Sequence, residues 1–201
     1  MTFNKHIGII IIGFIVAVVL TSGCVEIDGD INQLLDYFLG NDNYKVEDTS
    51  YKNLSVNTPT ETFSAYGVSF NHPSNWIVNS DNQTGGNMIF ASKDISLNGV
   101  QFQIQLIPNN GMPEEKVNRQ FEMTLTPGWE KKSSYLMIIN NETAYEDVYF
   151  VNDTNFHNLR MTTIHLVKND TTYLITLQAP DKDFDKEKPY FAMILNSLKI
   201  Q

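Results

Sequence analysis

Residues 66–76 read Tyr-Gly-Val-Ser-Phe-Asn-His-Pro-Ser-Asn-Trp, and they combine a short apolar alternation with a turn and a large aromatic residue. Val68 and Phe70 alternate with polar residues, which is the period of a strand that buries one of its faces. Pro73 restricts the backbone of the following turn, and Trp76 supplies a large ring for the core. We therefore interpret the stretch as a core strand and turn, and contact of Trp76 or His72 with a ligand is the functional alternative.

A second alternation, further along the chain, gives the clearest strand of the sequence. It consists of an apolar set and a polar set: Val100, Phe102, Ile104 and Leu106, and Gln101, Gln103 and Gln105. The apolar set predicts a strand face that packs on the core. The glutamine row predicts either a solvated face or a hydrogen-bonding surface for a partner, so the three glutamines are candidate partner-binding residues.

The remaining elements are short strands joined by turns, together with two helices. Strands are predicted at residues 63–71 with an interruption near Gly67, and at 76–79, 87–92, 129–139, 143–151, 158–167 and 172–178. Helices are predicted at 113–125 and 189–195, and hairpin turns at Asn140-Asn141 and Asn169-Asp170. Strands linked by short turns form antiparallel sheets. Because residues 161–167 are apolar on both strand faces, we predict an α+β fold in which helices cover both faces of an antiparallel β-sheet, an α/β/α sandwich.

The order of these elements and the 66–76 stretch together resemble the PsbP-like domains. In that family an aromatic-Gly-x-Ser-Phe strand leads through a proline turn to a tryptophan, as it does here between Tyr66 and Trp76. The resemblance extends over most of residues 62–201 and implies the α/β/α sandwich of the family. The photosystem II extrinsic protein and a nuclear Ran-binding protein share this fold, so the resemblance also implies binding of other proteins rather than catalysis.

The N-terminus has the pattern of a secretory signal. Lys5 provides a basic start, residues 7–20 form an apolar run, and Thr-Ser-Gly precedes Cys24. The run is shorter than the about 20 residues of a spanning helix. Small residues before a lone cysteine resemble the lipobox of bacterial and archaeal lipoproteins, although Thr21 stands where leucine is usual. The resemblance implies lipidation of Cys24, and an uncleaved anchor or a released protein are the alternatives.

These patterns divide the chain into three expected parts. They are a signal peptide at residues 1–23, a lipid-anchored tether and linker at 24–61, and the PsbP-like domain at 62–201. Within the tether, residues 30–39 predict a short amphipathic helix, and the polar residues 41–61 predict a flexible linker. Either kind of anchor places the domain at the cell membrane, facing the extracytoplasmic side.

Composition narrows the classes of partner and cofactor. With 14 Lys and Arg against 23 Asp and Glu, the 201-residue chain carries a formal charge of −9, which makes nucleic acid an unsuitable partner. Cys24 is the single cysteine, so neither an intramolecular disulfide nor a cysteine-based zinc site can form.

Five Asn-X-Ser/Thr triplets are compatible with glycosylation outside the cell. Their asparagines are Asn53, Asn82, Asn141, Asn152 and Asn169. Because the chain is rich in Asn, Ser and Thr, about three such triplets arise by chance. The five asparagines are therefore candidate sites only.

Neither a metal site nor a catalytic motif emerges from the pattern of polar residues. Four acidic residues are spaced like the start of a calcium loop: Asp181, Asp183, Asp185 and Glu187. Lys186 replaces the glycine of such a loop, and Ala192 replaces its glutamate. His157 and His165 lie on one predicted strand, about 27 Å apart, and cannot share a metal. The sequence contains neither a G-x-S-x-G elbow nor a phosphate-binding loop, so we expect no catalytic residues and no cofactor.

The sequence therefore predicts a non-catalytic, membrane-anchored extracytoplasmic module that binds or scaffolds an envelope protein. A surface solute- or lipid-binding lipoprotein is the alternative, and it would show an apolar cavity between sheet and helix lined by convergent polar groups. An enzyme would instead show titratable residues with shifted pKa values clustered in one cleft.

Overall fold

The computed structural model describes residues 44–46, 51, 53–83, 86–94, 96, 98–113, 116–117, 121, 127–139, 142–152 and 155–201. All of these residues belong to a compact unit that spans residues 43–201. The predicted signal, Cys24 and the predicted helix at 30–39 lie outside the described residues. Within the described part of the chain, no helix has the length and apolar character needed to cross a bilayer.

Eleven strands and one helix are described over their full length. The strands are β1 (Tyr44–Val46), β2 (Thr60–Ala65), β3 (Val68–Pro73), β4 (Ile77–Gln83), β5 (Gly86–Ser92), β6 (Gln101–Pro108), β7 (Trp129–Ile139), β8 (Glu142–Val151), β9 (Leu159–Lys168), β10 (Thr171–Pro180) and β11 (Lys199–Ile200). The helix is α1 (Phe184–Ser197). The larger sheet has eight strands in the order β1-β7-β8-β9-β10-β6-β5-β4, and the smaller sheet has the order β11-β3-β2.

Neighbouring strands run antiparallel except for β1, which pairs with β7 in parallel. The antiparallel arrangement follows from the short turns. Asn169 and Asp170 have φ angles of 50° and 57°, and they join β9 to β10 as a tight hairpin. This hairpin confirms the turn predicted at these two residues.

The interruption predicted near Gly67 is a full reversal of the chain. Tyr66 and Gly67 have φ angles of 53° and 76°, the left-handed backbone that a two-residue hairpin turn requires. Ala65 therefore pairs with Val68, and the single strand predicted at residues 63–71 is two strands, β2 and β3. The prediction of one bent strand is wrong because Gly67 permits the turn as readily as a bulge.

One face of the larger sheet carries Phe102, Ile104 and Ile175 and is called the helix face. It is covered by α1 and the smaller sheet, which together enclose the main core. The ring of Phe70 on β3 lies 5.3 Å from that of Phe102, measured between centroids. Trp76 is 5% exposed, and its ring lies 6.3 Å from that of Phe191 on α1. The core role of the 66–76 stretch is thus confirmed.

The opposite face is called the polar face because a row of five paired positions across it is polar. The row runs Gln103, Thr176, Thr163, Asp147 and Ser134. The prediction of an α/β/α sandwich with helices on both faces is wrong. Among the described residues α1 is the only continuous helix, and it shares the helix face with a small sheet.

The source of this error lies in β9. Its residues 161–166 are buried on both strand faces, as the sequence indicates. On the polar face, however, part of the cover consists of aromatic rings rather than a described helix: Phe121, Trp129 and Phe156 pack on a small second core cluster. Of the helix predicted at 113–125, four residues are described: Pro113 is not helical, and Lys116, Val117 and Phe121 are.

The C-terminal helix starts earlier than its predicted range of 189–195. It begins at Phe184, with Asp183 as its N-cap residue, and Pro189 lies inside it. Phe191, Ile194 and Leu195 are buried. Two acidic residues in its first turn, Asp185 and Glu187, complement the helix dipole.

Part of the predicted linker packs on the folded unit. Tyr51 is 3% exposed, and its hydroxyl donates a hydrogen bond of 3.1 Å to Oε1 of Glu146. Asn196 on α1 donates from Nδ2 to the Tyr51 carbonyl at 3.0 Å. Tyr51 and β1 therefore belong to the folded unit, although both lie within residues 24–61, the predicted tether and linker.

Candidate functional site

An open concavity lies on the helix face and is called the charged groove. Its volume is about 600 Å³. It lies where the first turns of α1 approach β7, β8 and β9. Residues that define it include Tyr51, Lys132, Tyr135, Phe150, Arg160 and Lys188.

Arg160 organises one wall of the charged groove. It lies on β9, where its Nε donates to Oδ1 of Asp181 at 2.9 Å and its Nη1 donates to Oδ1 of Asp185 at 2.8 Å. The guanidinium carbon also lies 5.2 Å from the ring centroid of Phe184. These contacts fasten the start of α1 to the sheet. They also explain the acidic run, because its carboxylates serve as partners for cations of the chain.

The rest of that run is engaged in a similar way. Glu187 is paired with Lys93 at 2.8 Å, and Asp183 lies 3.5 Å from Lys186. Among the described residues, no group of three or more His, Cys, Asp or Glu side chains is placed to hold a metal ion. The absence of a metal stays a prediction.

The charged groove combines aromatic rings with charges of both signs. Lys188 places its Nζ 5.4 Å from the ring centroid of Tyr51, and Lys132 is paired with Glu130. Thr162 lies in the lining and is 1% exposed, and its Oγ1 has no hydrogen-bond partner among the described residues. Tyrosine, phenylalanine and arginine are enriched at the centres of protein interfaces.

A buried carboxylate lies on the polar face. Asp147 is 0% exposed, accepts hydrogen bonds from Ser134 Oγ at 2.6 Å and from the Tyr149 hydroxyl at 3.3 Å, and pairs with Lys131 at 2.8 Å. Because three neighbours satisfy its oxygens, this carboxylate serves the packing of β7 against β8.

A second concavity lies on the polar face and is called the His165 cleft. Its volume is about 350 Å³, and it opens between β6, β9 and β10 and the chain that follows β6. Its apolar lining comes mainly from Leu174 on the sheet and from Met112, Val117 and Phe121 above it, and Gln105 adds a polar group.

His165 is the buried polar residue of this cleft. It is 1% exposed, and its Nε2 has no hydrogen-bond partner among the described residues. Its ring lies 5.0 Å from the ring of Phe121. The pKa of His165 is lowered to about 4, chiefly by burial; Asp147 opposes this shift, and Lys131 adds to it. At neutral pH the imidazole is therefore uncharged.

A fixed loop forms the rim of the His165 cleft. Asn109 accepts a hydrogen bond from Thr172 Oγ1 at 2.8 Å and donates one of 2.6 Å to the Met112 carbonyl. The backbone N–H of Gly111 donates to Oδ1 of Asp170 at 2.7 Å. Gly111 has a φ of 71°, which glycine adopts without strain. The loop is thus tied to the β9–β10 hairpin.

The predicted glutamine row does lie on one strand face, but it is not a uniform surface. Gln101, Gln103 and Gln105 are all half-buried. Gln101 donates from Nε2 to the Ser96 carbonyl at 2.6 Å, so it fastens a loop. Gln105 lines the His165 cleft, and Gln103 belongs to the polar row. Their role in partner binding stays a prediction.

The predicted modification sites are at the surface wherever they are described. Asn53, Asn82, Asn152 and Asn169 are exposed, and Asn141 and Cys24 lie outside the described residues. Glycosylation and lipidation therefore stay predictions.

Sequence reasoning missed the residues that form both concavities. Arg160 is the single arginine of β9, and an arginine near the start of a strand that is mostly buried is the signal that the sequence offers. His165 has no second histidine nearby in the sequence, which argues against metal binding but not against hydrogen bonding to a ligand. Tyr51 lies in a polar stretch, and nothing local to it predicts burial.

The fold is that of a β-rich domain with two sheets, in which one helix and the smaller sheet cover the helix face of the larger one. The chain belongs to the PsbP-like protein family, whose family model matches residues 8–200. This match confirms the family resemblance seen in the sequence.

A solved structure from a cyanobacterium shows the same fold. The solution structure of cyanobacterial PsbP (CyanoP) from Synechocystis sp. PCC 6803 matches with a TM-score of 0.54 at 14% identity, covering 76% of this chain and 98% of that one. A protein of unknown function from Pseudomonas aeruginosa, described as a putative regulator, matches with a TM-score of 0.41 at 14% identity, covering 66% and 90%. No curated protein matches the sequence.

Proposed function

We propose that this protein is a non-catalytic, membrane-anchored extracytoplasmic module that binds another protein of the cell envelope. The observation that carries the proposal is the charged groove, an open concavity of about 600 Å³ lined by aromatic rings and by charges of both signs. Membership in the PsbP-like family supports an accessory role of this kind.

The chemistry of the charged groove favours a protein as its occupant. Its cations, such as Lys132 and Arg160, are paired with carboxylates of the chain, so the groove presents no net basic surface for a polyanion. Tyr135 and Phe150 provide half-buried rings, which can anchor side chains of a partner at little cost in conformational entropy.

Two groups that could serve catalysis, Asp147 and Arg160, are engaged within the fold, which supports a binding role. Asp147 is satisfied by Ser134, Tyr149 and Lys131, and Arg160 by two carboxylates. Catalytic groups are usually poised with unmet interactions in a cleft that admits a substrate.

Tyr135→Ala is expected to weaken capture of the partner by about tenfold or more, because truncating an aromatic hot-spot residue of an interface costs about 2 kcal/mol or more, and about 1.4 kcal/mol is tenfold. The measurement is affinity capture of the full chain from detergent-solubilised membranes, followed by quantitative mass spectrometry. Tyr66→Ala is the matched control, because Tyr66 is exposed at the β2–β3 turn, away from the groove. Equal recovery of every bound protein by both variants and the wild type would contradict the proposal.

Cys24→Ser is expected to abolish lipid attachment but to leave the protein in the membrane fraction. Without the thiol no acceptor remains for the lipid, so residues 1–23 stay on the chain and their apolar run can still insert. Intact-mass spectrometry of the wild type should show loss of residues 1–23 and gain of a lipid, and the variant should retain them without lipid. A wild-type mass that matches the unprocessed chain with a free thiol would support the uncleaved anchor instead.

The His165 cleft favours a second candidate function, the binding of a small solute or lipid. Its volume of about 350 Å³ lies within the range of ligand pockets, about 300–1,000 Å³. Its lining joins apolar side chains to a few polar groups, which is the usual composition of such pockets.

A further inference from the structure

We propose that the His165 cleft binds a small, uncharged, largely apolar molecule through a hydroxyl group that forms a hydrogen bond with Nε2 of His165. This inference deepens the second candidate function and rests on it, and it is independent of the charged groove on the helix face.

The unmet hydrogen-bonding capacity at this place points to a ligand. A buried polar group without a partner costs about 1–3 kcal/mol, so folded proteins rarely keep one without a reason. Nε2 of His165 lacks a partner among the described residues, and so does Oγ1 of Thr163, two residues away on the same strand face. A polar group delivered into the cleft would satisfy part of this capacity.

The apolar lining determines the rest of the ligand. Leu174, Val117 and Phe121 offer hydrocarbon and aromatic surface, and burying such surface favours binding by about 25 cal/mol per Å². The volume is at the low end of the range for ligand pockets, about 300 Å³, so the ligand is small.

The state of the imidazole determines the charge of the ligand. An uncharged His165 can donate or accept one hydrogen bond at Nε2, depending on its tautomer, and a hydroxyl can meet either case. The charged groups whose fields reach His165 are Asp147 and Lys131, and they are paired with each other at 2.8 Å. A carboxylate or an amine in the cleft would therefore have no counter-charge, which excludes ionised ligands.

The test uses the full chain in lipid nanodiscs with ¹³C-labelled methionine methyl groups, titrated separately with 1-hexanol, n-hexane and hexanoate. Met112 lines the cleft, and Met193 on α1 lies on the other side of the sheet and serves as the internal reference. We expect a saturable shift of the Met112 resonance with 1-hexanol, none with hexanoate, and no shift of Met193. Shifts that grow linearly for both methyl groups, or saturation by hexanoate equal to that by hexanol, would overturn the proposal.

His165→Phe isolates the hydrogen bond, because it keeps a ring of similar shape and removes the polar atoms. Binding of n-hexane to this variant shows that the cleft is intact. The preference for 1-hexanol over n-hexane should fall by at least about tenfold in the variant, since the hydroxyl then has no partner. A preference that stays unchanged, or an absence of saturable binding by the wild type, would overturn the proposal. The His165 cleft and the charged groove lie on opposite faces of the larger sheet and share no lining residue, so failure of this test leaves the protein-binding proposal standing.

Discussion

Trp76→Ala is expected to destabilise the folded unit by about 3–5 kcal/mol, the usual cost of truncating a large buried aromatic residue. Trp76 is 5% exposed, and its ring packs against Phe191 and Tyr190 of α1. The variant therefore loses apolar contacts and leaves a cavity between the 66–76 stretch and the helix. Urea unfolding of residues 43–201, the compact unit, measures the change in free energy.

The matched control for this prediction is Tyr66→Ala, which removes an aromatic ring that is 39% exposed from the same segment. It should change the free energy of unfolding by about 0.5 kcal/mol or less, as surface substitutions usually do. A loss below about 1 kcal/mol for Trp76→Ala would contradict its burial and would favour the ligand-contact alternative for this residue.

Stability is expected to fall by about 3 kcal/mol through His165 alone as the pH decreases from 7 to 4, since a shift of one unit corresponds to about 1.4 kcal/mol. Burial lowers the pKa of His165 in the folded state from 6.5 to about 4, so the unfolded chain takes up this proton first. The stabilising effect of a neutral His165 is thus fully present above about pH 6.5 and is lost progressively toward pH 4.

Other groups also titrate between pH 7 and pH 4. The prediction is therefore tested by the difference in free energy of unfolding between the wild type and a variant without His165. The free energy of unfolding of His165→Gln is subtracted from that of the wild type at each pH, which cancels the contributions that the two proteins share. The difference should change by about 3 kcal/mol in favour of the variant on acidification. His157→Gln removes an imidazole that is exposed outside the strands and is the matched control. A difference between wild type and His165→Gln that is independent of pH would refute the assignment.

Local patterns in the sequence are sufficient to predict most of the strands. The alternation from Val100 to Leu106 predicts β6 and its buried face, and Asn169-Asp170 predicts the β9–β10 turn because both residues tolerate left-handed backbone. At Gly67 the local pattern does not determine the backbone structure. The same residue permits a bulge or a reversal, and the choice is decided by the pairing of β2 with β3 rather than by the residue itself.

The layer that covers each sheet face could not be derived from the sequence alone. A strand such as β9 that is apolar on both faces requires cover on both, but its sequence does not specify whether helices, strands or single rings provide it. The polar row across the opposite face runs over four inter-strand pairings, and it becomes visible only when the register is known.

Both concavities depend on contacts between distant parts of the chain. The Tyr51 hydroxyl meets Glu146 across 95 residues, and Arg160 reaches carboxylates 21 and 25 residues further on. The His165 cleft likewise joins β6, β9 and β10 to Met112, Val117 and Phe121. The residue types were evident in the sequence, but their convergence is a property of the sheet order.

The most direct test of partner binding is site-specific photo-crosslinking in intact cells, with p-benzoylphenylalanine in place of Tyr135 in the charged groove and, separately, in place of Tyr66. Both substitutions exchange one aromatic ring for another, so both chains should fold and reach the membrane. The result expected is a discrete crosslink to one envelope protein from position 135 that is absent from position 66. The same crosslinks from both positions, or none from position 135 in a folded, membrane-bound chain, would contradict the charged groove as the docking site.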